Sequence, residues 1–177
     1  MRLKEIIRDL EVTSLYADQN PSLAKITFDS REVGEGDLFV AIRGVQADGH
    51  QYMEGAIASG AVAVVCEEAG KIAGSGIPVI CVKDSRKALA QMASAWYGYP
   101  SAELSLVGLT GTNGKTTIAT LLYQMHQKMG FKAGLISTIE VLIGEKSSPA
   151  THTTPDPLQI NEVLRKMVEA GCEYCFM

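Results

Sequence analysis

The chain has 177 residues, of which 46% are hydrophobic and 20% charged, with a formal net charge of −4. This negative charge argues against bulk electrostatic binding to nucleic acid or to an anionic membrane, although backbone amides could still form a local anion site. No stretch approaches about 18 uninterrupted apolar residues, so no transmembrane helix is expected. At the N-terminus, Leu3, Ile6, Ile7 and Leu10 follow helical spacing among charges, which predicts an amphipathic helix and not a signal peptide.

Short apolar runs then alternate with amphipathic segments, which is typical of an α/β fold. Four apolar runs predict strands, at residues 24–28, 38–42, 61–66 and 77–82. Tyr52, Ala56 and Ile57 indicate a helix that ends near Gly60. A further helix, with Ser85 as its expected N-cap, has its apolar face formed by Leu89, Met92, Ala93 and Trp96.

Gly98 and Pro100 end that helix, and we place a domain boundary directly after them. The expected domains are residues 1–102, which are long enough to hold a core, and residues 103–177.

The second domain begins with a nearly continuous apolar run, residues 104–110, as expected of a strand buried on both faces. A glycine loop follows, and then a helix whose apolar face carries Ile118, Leu121, Leu122, Met125 and Met129. Residues 132–138 predict the next strand, and residues 141–149 a hairpin tip or loop.

A last helix opens at Asp156, the expected N-cap, with Pro157 at the first helical position and Gln159 completing a capping box. Residues 171–177 begin another strand. The series amounts to about half of a doubly wound domain, so we expect a fragment of a longer protein, with a small complete domain as the alternative.

The cysteines are expected to be reduced and buried. Cys66 and Cys81 lie in apolar runs. Cys172 and Cys175 form a single CxxC pair, for which metal or redox use is the alternative, although His152 is the only nearby additional ligand. Reduced cysteines fit a cytoplasmic protein. We interpret His50 as a surface loop residue and His126 as a solvent-facing helix residue, and we predict a catalytic role for neither.

The sharpest motif is the glycine loop between the predicted strand and helix, which predicts a site for a nucleoside triphosphate. Its glycines let consecutive N–H groups point into one concavity, and the helix adds the positive end of its dipole. The predicted nucleotide-binding residues are Gly111, Thr112, Asn113, Gly114, Lys115, Thr116 and Thr117. Lys115 is expected to reach the β- and γ-phosphates and the Thr116 hydroxyl to bind Mg²⁺, and these two are the catalytic candidates.

The match to the general phosphate-loop pattern is imperfect, because Leu109 stands where that pattern has its first glycine. A tight turn that binds no anion is therefore the alternative. An Asn-Lys-x-Asp guanine-binding motif does not occur in the sequence, which argues against a GTPase.

Three segments resemble the Mur ligase family. TGTNGKTT (110–117) is similar to the nucleotide loop of these ligases and of the related folylpolyglutamate synthetases. FDSREVGEGDLFVAIRGVQADGHQY (28–52) is similar to the N-terminal UDP-binding segment of the members that add the third and later residues, and THTTPDP (151–157) to the substrate loop of the tripeptide-forming member. The resemblance covers essentially the whole chain.

The resemblance implies an N-terminal UDP-binding α/β domain followed by the first part of a doubly wound ATPase domain. It implies a ligase that uses ATP and Mg²⁺ to add meso-diaminopimelate or L-lysine to UDP-MurNAc-L-Ala-D-Glu through an acyl phosphate. Such a ligase is expected to be a monomer that neither binds nucleic acid nor inserts into a membrane. The family's further metal ligands and amino-acid-binding domain have no counterpart in these residues, so the chain alone is expected to be inactive.

By the same resemblance, Phe28 and Ser30 correspond to uridine-site positions. Val45, Gln46 and Ala47 correspond to the segment along the UDP, and His152, Thr153 and Thr154 to the contact with the muramoyl peptide. The family often has a polar side chain where this chain has Val45, so a contact there would use the backbone.

Each segment also has a purely structural interpretation. Residues 29–31 could be a strand-end turn with a surface ion pair, and residues 153–154 could be the approach to a capped helix. The alternative functions are the ligase that adds D-alanyl-D-alanine to the UDP-MurNAc-tripeptide and a non-catalytic nucleotide-binding module.

Overall fold

The computed structural model describes residues 1–44, 47–149 and 155–177. The chain divides into two compact units, Met1–Trp96 and Tyr97–Met177. The division falls before the 102/103 boundary expected from sequence, because the 3-10 helix Pro100–Ala102 packs on a helix of the second unit. Among the described residues, no helix is both long enough and apolar enough to cross a membrane.

The first unit is built on a five-stranded sheet with the order β1-β5-β4-β3-β2. Four strands are parallel and lie within the apolar runs that predict them: β2 (Ile26–Thr27), β3 (Leu38–Val40), β4 (Ala63–Cys66) and β5 (Val79–Val82). The fifth, β1 (Val12–Tyr16), pairs antiparallel with β5 at the sheet edge. Strand β1 was not predicted from the sequence, because its residues are exposed and show no alternation of buried and exposed positions.

Three α-helices belong to this unit: α1 (Leu3–Ile6), α2 (Met53–Ala58) and α3 (Ser85–Trp96). The N-terminal helix is confirmed but is a single turn, so the prediction that Leu10 continues it is wrong. After Ile7 the chain turns towards β1, and the N–H groups of Leu10 and Val12 bond to nearby carbonyls instead of to helical partners.

The predicted cap of α3 is also wrong. Asp84 Oδ1 accepts the N–H groups of Arg86 and Lys87 at 2.9 and 3.0 Å, so Asp84 caps the helix. Ser85 is fully buried, and its hydroxyl donates to Glu67 at 3.2 Å.

The second unit has a five-stranded sheet with the order β6-β10-β7-β8-β9. The strands β6 (Ser105–Val107), β10 (Tyr174–Phe176) and β7 (Ala133–Ile136) are parallel, whereas β8 (Glu140–Ile143) and β9 (Lys146–Pro149) form an antiparallel hairpin. The prediction that β6 is buried on both faces is wrong. Among the described residues β6 lies at the sheet edge and pairs with β10 alone, and its three residues are exposed.

Two α-helices, α4 (Lys115–Lys128) and α5 (Pro157–Glu169), complete this unit. Helix α4 is confirmed, but most of its predicted apolar face is exposed. Ile118, Leu121, Met125 and Met129 are each more than 45% exposed, and Ala119 is the buried residue. The prediction for His126 is wrong, because its ring is half-buried with its centroid 4.6 Å from Tyr174 and 4.8 Å from Phe176.

The cap of α5 is confirmed in part. Asp156 Oδ1 accepts the N–H groups of Leu158 and Gln159 at 2.8 and 3.0 Å, and Pro157 occupies the first turn. The predicted capping box is wrong, because the Gln159 side-chain oxygen is buried without a hydrogen-bond partner among the described residues.

All four cysteines are free and buried, as predicted. Cys66 and Cys81 face each other across β4 and β5, with their sulfur atoms 3.9 Å apart. Burial raises the pKa of Cys66 and of Cys175 to about 12 and also raises the pKa of Cys172. These thiols are therefore protonated at neutral pH and act as small core residues.

Candidate functional site

The glycine loop lies in the second unit between β6 and α4. Gly111 and Gly114 have φ angles of 146° and 81°, which L side chains rarely adopt. Leu109 N–H donates to Met177 O at 2.6 Å, and Met177 N–H donates to Val107 O at 3.0 Å. These two hydrogen bonds join the start of the loop to the residue that follows β10. Beyond this point the residues from Thr110 to Lys115 are exposed.

The loop leaves the start of α4 open. The first N–H groups of a helix have no partner within the helix, and Gly114, the N-cap residue, has no side chain to cap them. The amides of Lys115, Thr116 and Thr117 therefore lie at the positive end of the helix dipole, which favours binding of an anion.

Lys115 turns back onto the loop. Its ammonium group donates to Gly111 O at 2.5 Å and lies 3.5 Å from Thr112 O. The side chain is exposed, so a phosphate could replace these carbonyls as its partner. Thr116, in the same first turn, is half-buried. The structure thus brings together all seven residues predicted from Gly111 to Thr117.

The candidate site of the first unit lies at one edge of its sheet. Because β2, β3, β4 and β5 are parallel, the segments that follow them emerge at the same edge. Phe28 and Ser30 follow β2, and Ala47 follows β3. Phe28 and Ala47 are exposed and Ser30 is half-buried. Val45 and Gln46 lie outside the described residues, as do His152, Thr153 and Thr154.

Ser30 opens a 3-10 turn, Ser30–Glu32, that Asp29 caps. Asp29 Oδ1 accepts from the backbone N–H of Arg31 at 3.0 Å, and the Arg31 guanidinium forms a bidentate pair with the same carboxylate. The Arg31 guanidinium, followed by its backbone N–H, lowers the pKa of Asp29 to about 2. The strand-end turn with a surface ion pair is therefore present, and it fixes the backbone on both sides of Ser30.

A buried carboxylate holds the far side of this turn. Asp37 is 2% exposed, accepts the N–H of Gly34 at 2.7 Å and lies 3.6 Å from the Lys25 ammonium group. That ammonium group donates to Glu32 O at 2.6 Å. Lys25 and Asp37 thus stabilise the turn through Glu32 O and the N–H of Gly34, a role for which the local sequence gives no signal.

A second side-chain network lies beside the segment after β3. The His50 ring bonds to Asp48 Oδ1 at 2.7 Å and to the N–H of Glu67 at 2.9 Å, and its side chain is only 11% exposed. The surface interpretation of His50 is therefore wrong. Local sequence gives no sign of this role, because Glu67 follows a different strand.

The described residues were considered as possible metal ligands by how they cluster in space. Within residues 1–44, 47–149 and 155–177, no cluster of three or more His, Cys, Asp or Glu side chains could hold an ion. The Thr116 hydroxyl suits Mg²⁺ only as one ligand among waters and phosphate oxygens, as in phosphate-loop proteins.

Comparisons with known proteins identify the family to which both units belong. A family model described as the Mur ligase family catalytic domain matches residues 22–97, and one described as the Mur ligase middle domain matches residues 109–177. The chain belongs to the Mur ligase family. The two matches together cover most of the chain and one lies in each compact unit.

Several relatives of this family member carry the name UDP-N-acetylmuramoyl-L-alanyl-D-glutamate–2,6-diaminopimelate ligase. The Parabacteroides distasonis protein is 52% identical over all 177 residues, and the Cytophaga hutchinsonii protein is 47% identical over 178 residues. The chain covers 36% and 37% of these two relatives, so it spans little more than a third of their length.

Solved structures show the same fold. A structure of a UDP-N-acetylmuramoyl-L-alanyl-D-glutamate–2,6-diaminopimelate ligase matches 99% of the chain with a TM-score of 0.74 and 25% identity, over 35% of its own length. The MurF ligase from Thermotoga maritima, solved in complex with ADP, matches 77% of the chain with a TM-score of 0.52 and 29% identity, over 28% of its own length.

Proposed function

We propose that this chain carries the nucleotide-sugar site and the ATP site of an ATP-dependent ligase that adds 2,6-diaminopimelate to UDP-MurNAc-L-Ala-D-Glu. One observation carries the proposal: an exposed glycine loop at the start of a helix and a separate sheet edge with the predicted UDP-site residues Phe28 and Ser30 occur on a single chain, each in a unit matched by a Mur ligase model. The names of the relatives that are 44–52% identical over the whole chain support this substrate.

The reaction has two steps, and the first depends on the phosphate loop. The terminal carboxylate of the UDP-MurNAc dipeptide attacks the γ-phosphorus of ATP, which forms an acyl phosphate and releases ADP. The amino group of the incoming amino acid then attacks the acyl carbon, which forms the amide and releases phosphate. Such a transfer is catalysed mainly by positioning and by charge stabilisation.

Residues of α4 and its loop supply these effects. The amides from Gly111 to Thr117 bind the phosphates, and Lys115 leaves the carbonyls of Gly111 and Thr112 to neutralise charge on the β- and γ-phosphates. Thr116 would hold Mg²⁺, which supplies further charge neutralisation at the transferred phosphoryl group.

The first unit binds the UDP part of the substrate. Phe28 offers an exposed ring, and Ser30 lies in a turn fixed by Asp29, Arg31 and Lys25. We assign Val45, Gln46 and Ala47 to the UDP-binding segment and His152, Thr153 and Thr154 to the muramoyl peptide. These assignments rest on the family resemblance, since only Ala47 of these six residues lies in the described structure.

Titration calorimetry with three nucleotides tests the substrate. UDP-MurNAc-L-Ala-D-Glu should bind more tightly than either UDP or the UDP-MurNAc-tripeptide. Ser30→Ala should weaken binding of the dipeptide by about tenfold, because a desolvated hydrogen bond is worth about 1 to 2 kcal/mol. Ser75→Ala, which changes an exposed serine of the same unit, is the control.

The outcomes separate the candidate functions. Preference for the tripeptide would favour the D-alanyl-D-alanine-adding ligase. Binding of Mg-ATP without binding of any UDP nucleotide would favour a nucleotide-binding module and overturn the proposed substrate.

A further inference from the structure

A cleft opens in the second unit beside the turn of the β8–β9 hairpin. It has a volume of about 800 Å³, which lies within the range of small-molecule sites. We call it the hairpin cleft, and its lining includes Gln127, Lys132, Gly144, Glu145, Lys146 and Lys166. All of these residues belong to the second unit.

The hairpin cleft and the glycine loop lie at opposite ends of the second sheet. The glycine loop follows the parallel strand β6, whereas β8 runs antiparallel to β7, so the turn after β8 lies where the parallel strands begin. Helix α4 connects the two ends, because it starts at Lys115 and has Gln127 in its last turn. At a rise of about 1.5 Å per residue, these two residues lie about 18 Å apart. The cleft is therefore separate from the predicted nucleotide site.

Three ammonium groups from different elements line the hairpin cleft. Lys132 directly precedes β7, Lys146 opens β9 and Lys166 lies in the last turn of α5. Glu145, in the turn between β8 and β9, is the one carboxylate among the described residues of the lining. The lining thus carries a positive charge in a chain whose formal net charge is −4.

Two of these ammonium groups are available to an anion. Within the described residues, Lys132 and Lys146 form no ion pair, and both side chains are exposed. Lys166 pairs with Glu162, one helical turn earlier, at 2.5 Å. An exposed pair of this kind contributes little to stability, so Lys166 can exchange this partner for a ligand at small cost.

Hydrogen bonds fix one wall of the cleft. The Tyr123 hydroxyl donates to Gly144 O at 2.6 Å, and the Gln127 side-chain nitrogen donates to that hydroxyl at 3.2 Å. The Gln127 side-chain oxygen accepts from the N–H of Ala133 at 3.4 Å. A Cβ on Gly144 would lie 3.0 Å from Lys132 Cε, so the Lys132 stem lies across the hairpin turn. The turn and this stem are therefore positioned without a ligand.

The lining favours an organic anion over an inorganic one. Ammonium groups on flexible stems bind phosphate and carboxylate groups as point charges. Ile143 and Ala170 add apolar surface beside them, and the cleft has room for more than a lone phosphate. A ligand that bridges the ammonium groups needs more than one negative charge.

We propose that the hairpin cleft binds a small organic anion with two or more negative charges, a phosphate ester or a polycarboxylate, through Lys132, Lys146 and Lys166. None of the residues predicted to bind ATP or the UDP nucleotide lines this cleft, so the proposal does not depend on the proposed function.

Amide spectra of the ¹⁵N-labelled chain test the proposal with three probes: glucose 6-phosphate, citrate and, as the neutral control, glucose. The titrations are run at low ionic strength, because salt screens exposed charges. Both anions should shift the amide signals of Gly144, Glu145 and Lys146, and glucose should not. Signals of Gly114 and Lys115 report separately on any anion that binds the glycine loop.

Two double variants compare charge inside and outside the cleft. Lys132→Met with Lys146→Met should bind both anions about tenfold more weakly at the cleft, because two ammonium groups are lost. Lys83→Met with Lys128→Met, which removes two exposed lysines outside the cleft, should bind within about twofold of wild type.

A third variant should bind more tightly than wild type, which misfolding cannot imitate. Glu145→Gln removes the carboxylate and leaves the three ammonium groups, so its affinity for both anions should rise about threefold. Tighter binding of glucose 6-phosphate than of citrate would assign the cleft to phosphate esters, and the reverse order would assign it to polycarboxylates.

Three results would overturn the proposal. The first is that neither anion shifts the amide signals of the cleft. The second is that the two double variants bind equally well. The third is that Glu145→Gln binds the anions more weakly than wild type.

Discussion

The two candidate sites both follow parallel strands, but they are stabilised in different ways. One is the glycine loop before α4, and the other consists of the segments after β2 and β3. The glycine loop is exposed, and its shape depends on backbone angles at Gly111 and Gly114. The segments after β2 and β3 are held by side-chain hydrogen bonds, such as those from Lys25 to Glu32 O and from the N–H of Glu67 to His50. A site built from backbone angles depends on its glycines, whereas a site held by side chains depends on the side chains that hold it.

This difference predicts that a glycine substitution lowers mainly stability in the first unit and mainly ligand affinity in the second. Gly49→Ala should produce the largest loss of stability, about 2 kcal/mol, because the new Cβ would overlap the backbone of Ile42. Urea unfolding followed by the fluorescence of Trp96, the single tryptophan, measures it. Gly55→Ala, in α2 with open space around it, should be neutral or stabilising by up to about 1 kcal/mol. Equal stability of the Gly49 variant and wild type would show that the backbone at Gly49 is not packed tightly against Ile42.

Gly114→Ala should affect binding more than stability. The new side chain has open space but a φ of 81°, which costs about 1 to 2 kcal/mol for an L residue. The free loop can relax, so the cost should appear as an affinity for Mg-ATP about tenfold weaker in calorimetry. Gly108→Ala, in the same connection but without a positive φ, should bind as wild type does. Equal loss in both variants would mean that crowding, and not backbone angle, shapes the site.

A smaller effect concerns the helix caps. Asp156→Ala should lower stability by about 1 kcal/mol, because it leaves the N–H groups of Leu158 and Gln159 without their acceptor. Gln159→Ala should cost less than about 0.5 kcal/mol, since its side-chain oxygen caps no N–H. Urea unfolding followed by far-UV circular dichroism compares them. A loss of stability that is larger for Gln159→Ala than for Asp156→Ala would show that the Gln159 side chain does cap the helix.

The smallest effect is the pH dependence of the Asp29 turn. The pKa of Asp29 is lowered from 3.8 to about 2, so its stabilising contribution is present above about pH 4 and is lost as the pH falls towards 2. The melting temperature of wild type should therefore exceed that of Asp29→Asn at pH 6, and the gap should narrow below pH 4. A gap that widens in acid would contradict the assigned ion pair.

The two sites also differ in how far sequence predicts them. The glycine loop is contiguous from Gly111 to Thr117, so its residue types and its place between a strand and a helix could be read from the sequence, and the structure confirms that place. The role of His50 was not predictable, because the Glu67 N–H that fixes it comes from a separate strand. The exposed face of α4 was misjudged for a related reason: periodicity shows that one helix face is apolar, but not that a neighbour covers it.

The central claim is that one chain carries two independently built ligand sites, one for UDP-MurNAc-L-Ala-D-Glu and one for Mg-ATP. Calorimetric titration of both ligands into wild type, Ser30→Ala and Lys115→Ala tests it most directly, with Lys128→Ala as a charge-matched control on α4. Ser30→Ala should lose affinity for the UDP nucleotide alone. Lys115→Ala should bind Mg-ATP at least about tenfold more weakly and keep its affinity for the UDP nucleotide. Wild-type protein that binds only one of the two ligands, or a Lys115 variant that binds Mg-ATP as tightly as wild type, would contradict the account.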